Sequence, residues 1–187
     1  MARGRSCVPV RVGNAEPGEQ SNDIKASYAR ILMREGNSVG ARALVEEVLE
    51  ADPSHVPALV MRSEWMIDAD LVEEAIVTLR KAQDQEPDNP DIFSRLAGAH
   101  LRNGDRELAG EMLALAVEAA NRASVESLAY ARFLIAEDRF KPAEAVLIDS
   151  LRIAPQDQDL LAALGNVYVS LRDWDRAERV EQALRGL

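Results

Sequence analysis

The sequence repeats with a constant period of 34 residues, and this recurrence limits the folds open to it more than any other feature. One column of the repeat holds alanine in every copy: Ala41, Ala75, Ala109, Ala143 and Ala177. A second holds proline at Pro53, Pro87 and Pro155, with Asn121 where the fourth is missing. A third holds only small residues: Ala29, Ser63, Ala97, Ala131 and Gly165. Because several columns keep one register, the chain contains about five copies of one structural unit.

Each column has a physical reason that points to a pair of helices. Two helices that cross closely need small side chains at the crossing, and the two small-residue columns supply one on each helix. The proline lies just past the second helix, where it ends the hydrogen-bond ladder. Gly36 and Gly104 lie between the paired helices, where a left-handed residue ends the first helix. Asp70, Asp138 and Arg172 take this turn position in the other copies.

The pattern predicts ten helices in five pairs, and the fold class is therefore all-α. The predicted ranges are 22–35 and 38–51, 56–69 and 72–85, 90–103 and 106–120, 124–137 and 141–154, 158–171 and 174–186. Four polar residues are candidate N-caps: Asn22, Ser38, Asp105 and Asp173.

The period, together with Leu164-Gly165-x-x-Tyr168 followed by Ala177, resembles the tetratricopeptide-repeat family. The resemblance covers residues 22–187 and implies a right-handed α-α superhelix, or solenoid. Its repeats would span about 22–55, 56–89, 90–123, 124–157 and 158–187. The sequence departs from the family pattern at Arg62, His100 and Asn121, so we expect a different junction between the third and fourth repeats.

Residues 1–21 lie outside the repeat and are predicted to form a flexible lead, because glycine and proline interrupt them. An alternative is that residues 8–12 (Val-Pro-Val-Arg-Val) lie extended in the groove of the same or a neighbouring molecule. Cys7, the single cysteine, lies in this lead, so no disulfide can form within one chain.

Composition narrows the function and the location. The net charge is −10, and such a surface repels nucleic acid phosphates, so no nucleic acid partner is expected. No segment is long and apolar enough for a signal peptide or a membrane span, so we predict a cytoplasmic protein without direct membrane insertion. Lysine occurs only at Lys25, Lys81 and Lys141 against many arginines, a bias that favours a bacterial source.

The sequence predicts no enzymatic activity, no metal site and no cofactor. Its two histidines are far apart in sequence and neither has a second metal ligand at helical spacing. His55 is expected to face solvent in a turn, and His100 to be a hydrogen-bonded interior residue. There is no glycine-rich loop of the kind that binds phosphates.

The resemblance implies that the first helices line an inner groove that binds a partner protein or an extended peptide. Three rows of first-helix residues are predicted to point outward, beginning at Ala26, Arg30 and Arg34 and recurring every 34 residues. The candidate groove residues are Arg30, Arg34, Glu64, Asp68, Arg95, Arg102, Arg132 and Asn166. Five arginines in an acidic chain favour an acidic partner, because guanidinium groups bind carboxylates in pairs of hydrogen bonds. The alternative is that these arginines are solvated or pair with Glu64 and Asp68.

A second hypothesis is a structural module that assembles with itself. Repeat arrays need polar ends, yet the last helix carries Trp174, Val180 and Leu184. These three residues are candidates for end-on docking, including docking of a second copy to give a homo-oligomer.

Overall fold

The computed structural model describes residues 17–187, and every regular element within this range is an α-helix. The helices are α1 (Pro17–Arg34), α2 (Ser38–Ala51), α3 (Val56–Asp68), α4 (Val72–Gln85), α5 (Pro90–Asn103), α6 (Arg106–Ala119), α7 (Ser124–Ala136), α8 (Phe140–Leu151), α9 (Gln158–Ser170) and α10 (Trp174–Arg185). The predicted all-α fold of ten paired helices is confirmed. Cys7 and residues 8–12 lie outside the described residues. None of the helices described is both long and apolar enough to cross a lipid bilayer.

The chain divides into two compact units, Met1–Ala58 and Leu59–Leu187, and the division falls within α3. In the first unit α1 packs against α2. Ala29 of α1 and Ala41 of α2 are fully buried, as expected for the small residues at a close helix crossing. An ion pair at the surface also links the two helices: Nζ of Lys25 on α1 lies 2.7 Å from Oε1 of Glu47 on α2.

The hydrophobic core of the C-terminal part of the second unit shows how the repeat columns work. Ala131 of α7 and Ala143 of α8 are fully buried in one cluster with Leu134, Leu147 and Leu160. The small residues let the helices approach, and the leucines fill the space beside the crossing. The columns recognised in the sequence are therefore the packing positions of the fold.

The turn within each helix pair uses a left-handed residue in all five copies. Gly36 and Gly104 have φ of 82° and 88°. The three other residues at the same register also have positive φ, between 56° and 65°: Asp70, Asp138 and Arg172. The predicted turn is confirmed, and three side chains occupy a backbone conformation that favours glycine.

We expect Asp138→Gly to raise the free energy of unfolding by about 0.5–1 kcal/mol, because glycine adopts φ of 56° without the steric cost that a Cβ atom brings. Urea unfolding followed by circular dichroism measures the change. The matched control is Glu111→Gly inside α6, which should lower the stability by about 1 kcal/mol. A loss of stability with Asp138→Gly would show that its carboxylate matters more than its backbone.

The first helix starts earlier than the sequence pattern predicts. It begins at Pro17, so residues 17–21, assigned to the lead, lie in the helix. Proline suits the first helical position because the N–H that it lacks would have no partner there. Asn22 is consequently inside α1, and buried, and the prediction that it caps the helix is wrong.

The other predicted caps are partly corrected. Asn37 rather than Ser38 caps α2, since its side chain accepts a hydrogen bond from the N–H of Gly40 at 3.0 Å. Asp173 caps α10 as predicted, with its carboxylate 3.2 Å from the backbone nitrogen of Arg176. Asp105 stands at the cap position of α6 but makes no side-chain cap bond.

The interrupted proline column has a local explanation. Asn121 and Arg122 both have positive φ, 50° and 60°, at the turn between α6 and α7. The proline ring fixes φ near −65°, so proline cannot occupy this position without a change of the turn. The Ser150 hydroxyl donates to the carbonyl oxygen of Arg122 at 2.9 Å and so ties the turn to α8. The third-to-fourth junction therefore differs in backbone conformation.

Candidate functional site

A row of apolar side chains recurs on the first helices of the second unit and is only partly buried. It consists of Ile67, Leu101, Ile135 and Val169, each 34 residues after the previous one. Leu101 and Val169 are 42% and 49% exposed, and the other two are half-buried. We call these four residues the apolar row. They are not among the predicted groove residues, which come from the neighbouring charged columns, although the same 34-residue register relates all four.

Arginines and carboxylates flank the apolar row, and the structure joins two of the predicted groove residues directly. Arg95 on α5 pairs with Glu64 on α3, and its Nε lies 2.9 Å from Oδ2 of Asp91. Burial alone would lower the pKa of Arg95, but the hydrogen bonds and charges of Asp91 and Glu64 raise it. Arg95 is therefore held by two internal carboxylates.

Two other predicted arginines are more accessible. Arg102 on α5 lies 3.7 Å from Oδ1 of Asp70, and both side chains are well exposed, so this pair is weak. Arg132 on α7 is exposed and forms no ion pair with the residues of the range 17–187. Asp68 and Asn166 are also exposed at the ends of this set. Arg102 and Arg132 are thus the cations beside the apolar row that can meet an external carboxylate.

The remaining members of the predicted rows are distributed differently from the expectation. Arg30 and Arg34 are exposed on α1, in the first unit. Ala26 and Leu128, predicted to point outward, are buried, which corrects the first row. Leu128 packs into the core cluster of α7 to α10, because an apolar side chain at that register is more stable inside the cluster than in water.

The last repeat contains a groove between α9 and α10 of about 590 Å³. It brings Asn166 together with the three residues predicted for end-on docking: Trp174, Val180 and Leu184. Trp174 is 64% exposed at the rim, whereas Val180 is buried and forms part of the floor. A Cβ atom added to Gly165 would lie 3.4 Å from Cγ1 of Val180, so the glycine leaves this part of the groove open.

An ion cluster below this groove fixes α10 to the fourth repeat. Nε of Arg176 lies 2.7 Å from Oδ2 of Asp173, and Arg176 also pairs with Glu144 of α8. Its guanidinium carbon lies 4.5 Å from the centre of the Tyr168 ring, a cation–π contact. The Arg176 hydrogen bonds hold the pKa of Asp173 below its usual value. These groups satisfy each other, so the cluster is structural.

The histidines are structural as well, and one prediction about them is wrong. His55 is buried rather than exposed to solvent: its Nδ1 accepts from the N–H of Ala58 at 3.3 Å, and Nε2 lies 3.1 Å from Asp23. His100 is interior as predicted, but its hydrogen bonding is incomplete: Nδ1 lies 3.3 Å from Asp105, and the buried Nε2 has no hydrogen-bond partner among the described residues. Hydrogen bonds from Asn103 and then His100 lower the pKa of Asp105. No group of three metal-binding side chains occurs within the described part of the chain.

Antiparallel helix pairs of constant length, with small residues at their crossings, define a helix–turn–helix repeat protein. Residues 66–129 match the family model described as tetratricopeptide repeat. Residues 66–129 therefore resemble tetratricopeptide repeats, and the helix pairs before and after them continue the same architecture.

Solved structures show the same fold over most of the chain. A protein described as Pseudomonas aeruginosa pilF is 16% identical, covers 91% of this chain and 78% of its own, and has a TM-score of 0.75. MamA is 17% identical over 89% of this chain and 91% of its own, with a TM-score of 0.71. YrrB, described as a TPR protein with an unusual peptide-binding site, is 18% identical over 90% and 91%, with a TM-score of 0.66. No curated protein sequence matches the chain.

Proposed function

We propose that the protein is an interaction scaffold and that its second unit binds an extended segment of a partner protein along the apolar row. The observation that carries this proposal is the row itself: Leu101 on α5 and Val169 on α9 are exposed, and Ile135 on α7 between them is half-buried at the same register. Exposed apolar side chains at regular spacing favour a ligand whose own apolar residues have a matching spacing and cover them. The description of YrrB as a peptide-binding protein of this fold agrees with such a ligand.

The spacing of the row sets the spacing of the ligand. The helices α7 and α9 pack directly against each other, and packed helices lie roughly 8–10 Å apart. An extended chain in the polyproline II conformation rises roughly 3.1 Å per residue with three residues per turn, so side chains three positions apart lie on one face and span about this distance. Ile135 and Val169 are thus matched by apolar ligand residues three positions apart. A helical ligand would instead place apolar residues three or four positions apart over a shorter rise.

The flanking cations select the charge of the ligand. Arg102 and Arg132 stand beside the row in a chain whose net charge is −10, so most of its surface repels an acidic ligand. Guanidinium groups bind carboxylates through two parallel hydrogen bonds, and the alignment fixes the ligand's register. Asn166, at the same register as Arg132 in the next repeat, offers an amide to the ligand backbone. The preferred segment therefore combines apolar residues with aspartate or glutamate.

The test is selection of binders from a displayed library of random twelve-residue peptides, followed by fluorescence anisotropy with the selected peptides. We expect the selected sequences to be rich in Asp and Glu and to carry apolar residues at a spacing of three. The double variant Arg102→Glu/Arg132→Glu should weaken their binding at least tenfold, because each attraction becomes a repulsion. Binding to the unmodified protein should also fall as salt increases.

The matched control is Arg80→Glu/Arg179→Glu, which makes the same change in net charge at exposed arginines of the second helices. This variant should bind the peptides nearly as well as the unmodified protein. Circular dichroism checks that all forms remain equally helical. Equal loss of affinity in both double variants would reduce the effect to net charge and contradict a site on the first helices.

A further inference from the structure

The first helix carries a stripe of exposed apolar side chains that has no partner among the described residues. Ile24, Tyr28 and Ile31 are 69%, 53% and 49% exposed. Their spacing of four and then three residues places them on one face of α1. We call these three residues the leading stripe. A stripe of this kind on a monomeric helix indicates an interaction surface rather than scattered exposure.

The repeat itself shows what such a stripe does. At the same register of α9 stand Leu160, Leu164 and Val167, which are 0%, 5% and 0% exposed. Both α1 and α9 pack against the second helix of their own repeat, but only α9 also has a preceding repeat to pack against in the described chain. The side chains that are buried in α9 and exposed in α1 are therefore those that face a preceding repeat.

The opposite end of the protein has the complementary feature, the groove between α9 and α10. Ala131 and Ala143 of the fourth repeat are fully buried under the core cluster that α9 completes. Their counterparts in the fifth repeat, Gly165 and Ala177, are only half-buried and line the groove. The groove is thus the place that the first helix of a following repeat fills elsewhere in the chain.

We infer that the leading stripe of one copy docks into the groove between α9 and α10 of a second copy. The side chains match in size as well as in position. The groove has Ala162 where the fourth repeat has Leu128, and Gly165 where it has Ala131, so it is wider. The leading stripe is correspondingly larger than the α9 face that fills the same place on the fourth repeat, because it has Tyr28 where α9 has Leu164.

The two surfaces differ, so the contact is head-to-tail rather than isologous. Each copy that docks through its stripe still offers a free groove, and association continues into chains or closes into rings. The leading stripe shares no residue with the apolar row, and the groove shares only Val169 with it, so a failure of peptide binding would leave this inference standing. The variants chosen for its test accordingly avoid Val169 and Asn166, which lie near both surfaces.

The test uses two variants, each of which destroys one surface. Ile24→Asp/Ile31→Asp places two carboxylates in the stripe, and Trp174→Glu/Leu184→Glu does so in the groove. Sedimentation velocity of the unmodified full chain should show a mass that rises with concentration beyond a dimer. Each variant alone should remain monomeric at concentrations at least tenfold higher. An equimolar mixture of the two should form a one-to-one dimer and nothing larger, because only one intact stripe and one intact groove can meet.

Circular dichroism checks that both variants fold, and Val77→Asp on α4 is the matched control, since it adds a carboxylate at an exposed valine that belongs to neither the stripe nor the groove. The control should associate like the unmodified chain. A monomer at millimolar concentration would overturn the inference, and so would variants that fail to complement each other. Association that appears only after deletion of residues 1–16 would overturn it too, by showing that the protein's own N-terminal segment covers one of the surfaces.

Discussion

Replacing Leu134 by alanine is expected to lower the free energy of unfolding by about 3 kcal/mol. Leu134 is completely buried on α7 and belongs to the cluster that joins the fourth and fifth repeats. The substitution removes three side-chain carbon atoms together with their contacts. It leaves a cavity, because close-packed helices relax only partly around the missing atoms. Urea unfolding monitored by circular dichroism gives the change from the shift of the transition midpoint.

The matched control is the same chemical change at Leu115 on α6, which is 38% exposed. Its loss should be below about 1 kcal/mol, since less apolar surface returns to water and alanine is the better helix former. Repeat arrays can unfold in parts, so the two variants should be compared with probes of the whole helix content. Equal destabilisation at Leu134 and Leu115 would contradict the burial of Leu134 in the core and the exposure of Leu115.

The fold was predictable because each repeat column corresponds to one packing requirement. The alanine column marks the helix crossing, and Ala41 and Ala143 are indeed fully buried. The turn column marks a left-handed residue, and Asp138 has the positive φ that its register with Gly36 indicates. These local requirements recur in every copy. A residue pattern that would be weak evidence in one repeat therefore becomes strong evidence for the fold when five repeats share it.

The candidate site was less predictable because burial and pairing depend on neighbours that a periodic pattern does not specify. Leu128 and Ala162 share one register, yet the first is buried and the second exposed, since a further repeat covers only the first. Arg95 selects Glu64, 31 residues earlier, rather than a ligand. His55 is buried in the turn before α3 and contacts Asp23 on α1, at the other end of the first repeat. These outcomes depend on three-dimensional proximity between residues that are far apart in sequence.

The beginning of the first helix was missed for another reason. Residues 17–21 have no apolar periodicity, so the pattern gave them to the lead, whereas the structure continues the helix to Pro17. Periodicity detects the packed part of a helix and says little about a polar extension. The apolar row shows the opposite error, in which a clear period at Leu101 and Val169 was present but charge drew attention to the adjacent columns.

Restoring the missing proline of the repeat, by Asn121→Pro, is expected to destabilise the protein by about 3 kcal/mol or more. Asn121 has φ of 50°, which the proline ring does not allow, and its N–H donates to the carbonyl oxygen of Glu118 at 3.0 Å. Ala120 before it has ψ of 6°, a conformation that a following proline disfavours. Thermal unfolding should show the midpoint fall by about 6–12 °C for a chain of this size.

Asn121→Gly is the control that separates the backbone from the side chain. Glycine accepts the same positive φ and keeps the N–H, so this variant should match the unmodified protein or exceed its stability by up to about 0.5 kcal/mol. The proline variant should therefore lose stability while the glycine variant keeps or gains it. If the asparagine side chain itself mattered, both variants would lose stability, and if the proline of the repeat were favourable here, the proline variant would gain it. A proline variant as stable as the unmodified protein would mean that the turn between α6 and α7 can adopt the conformation used after Pro87, and the backbone explanation of the interrupted column would then be wrong.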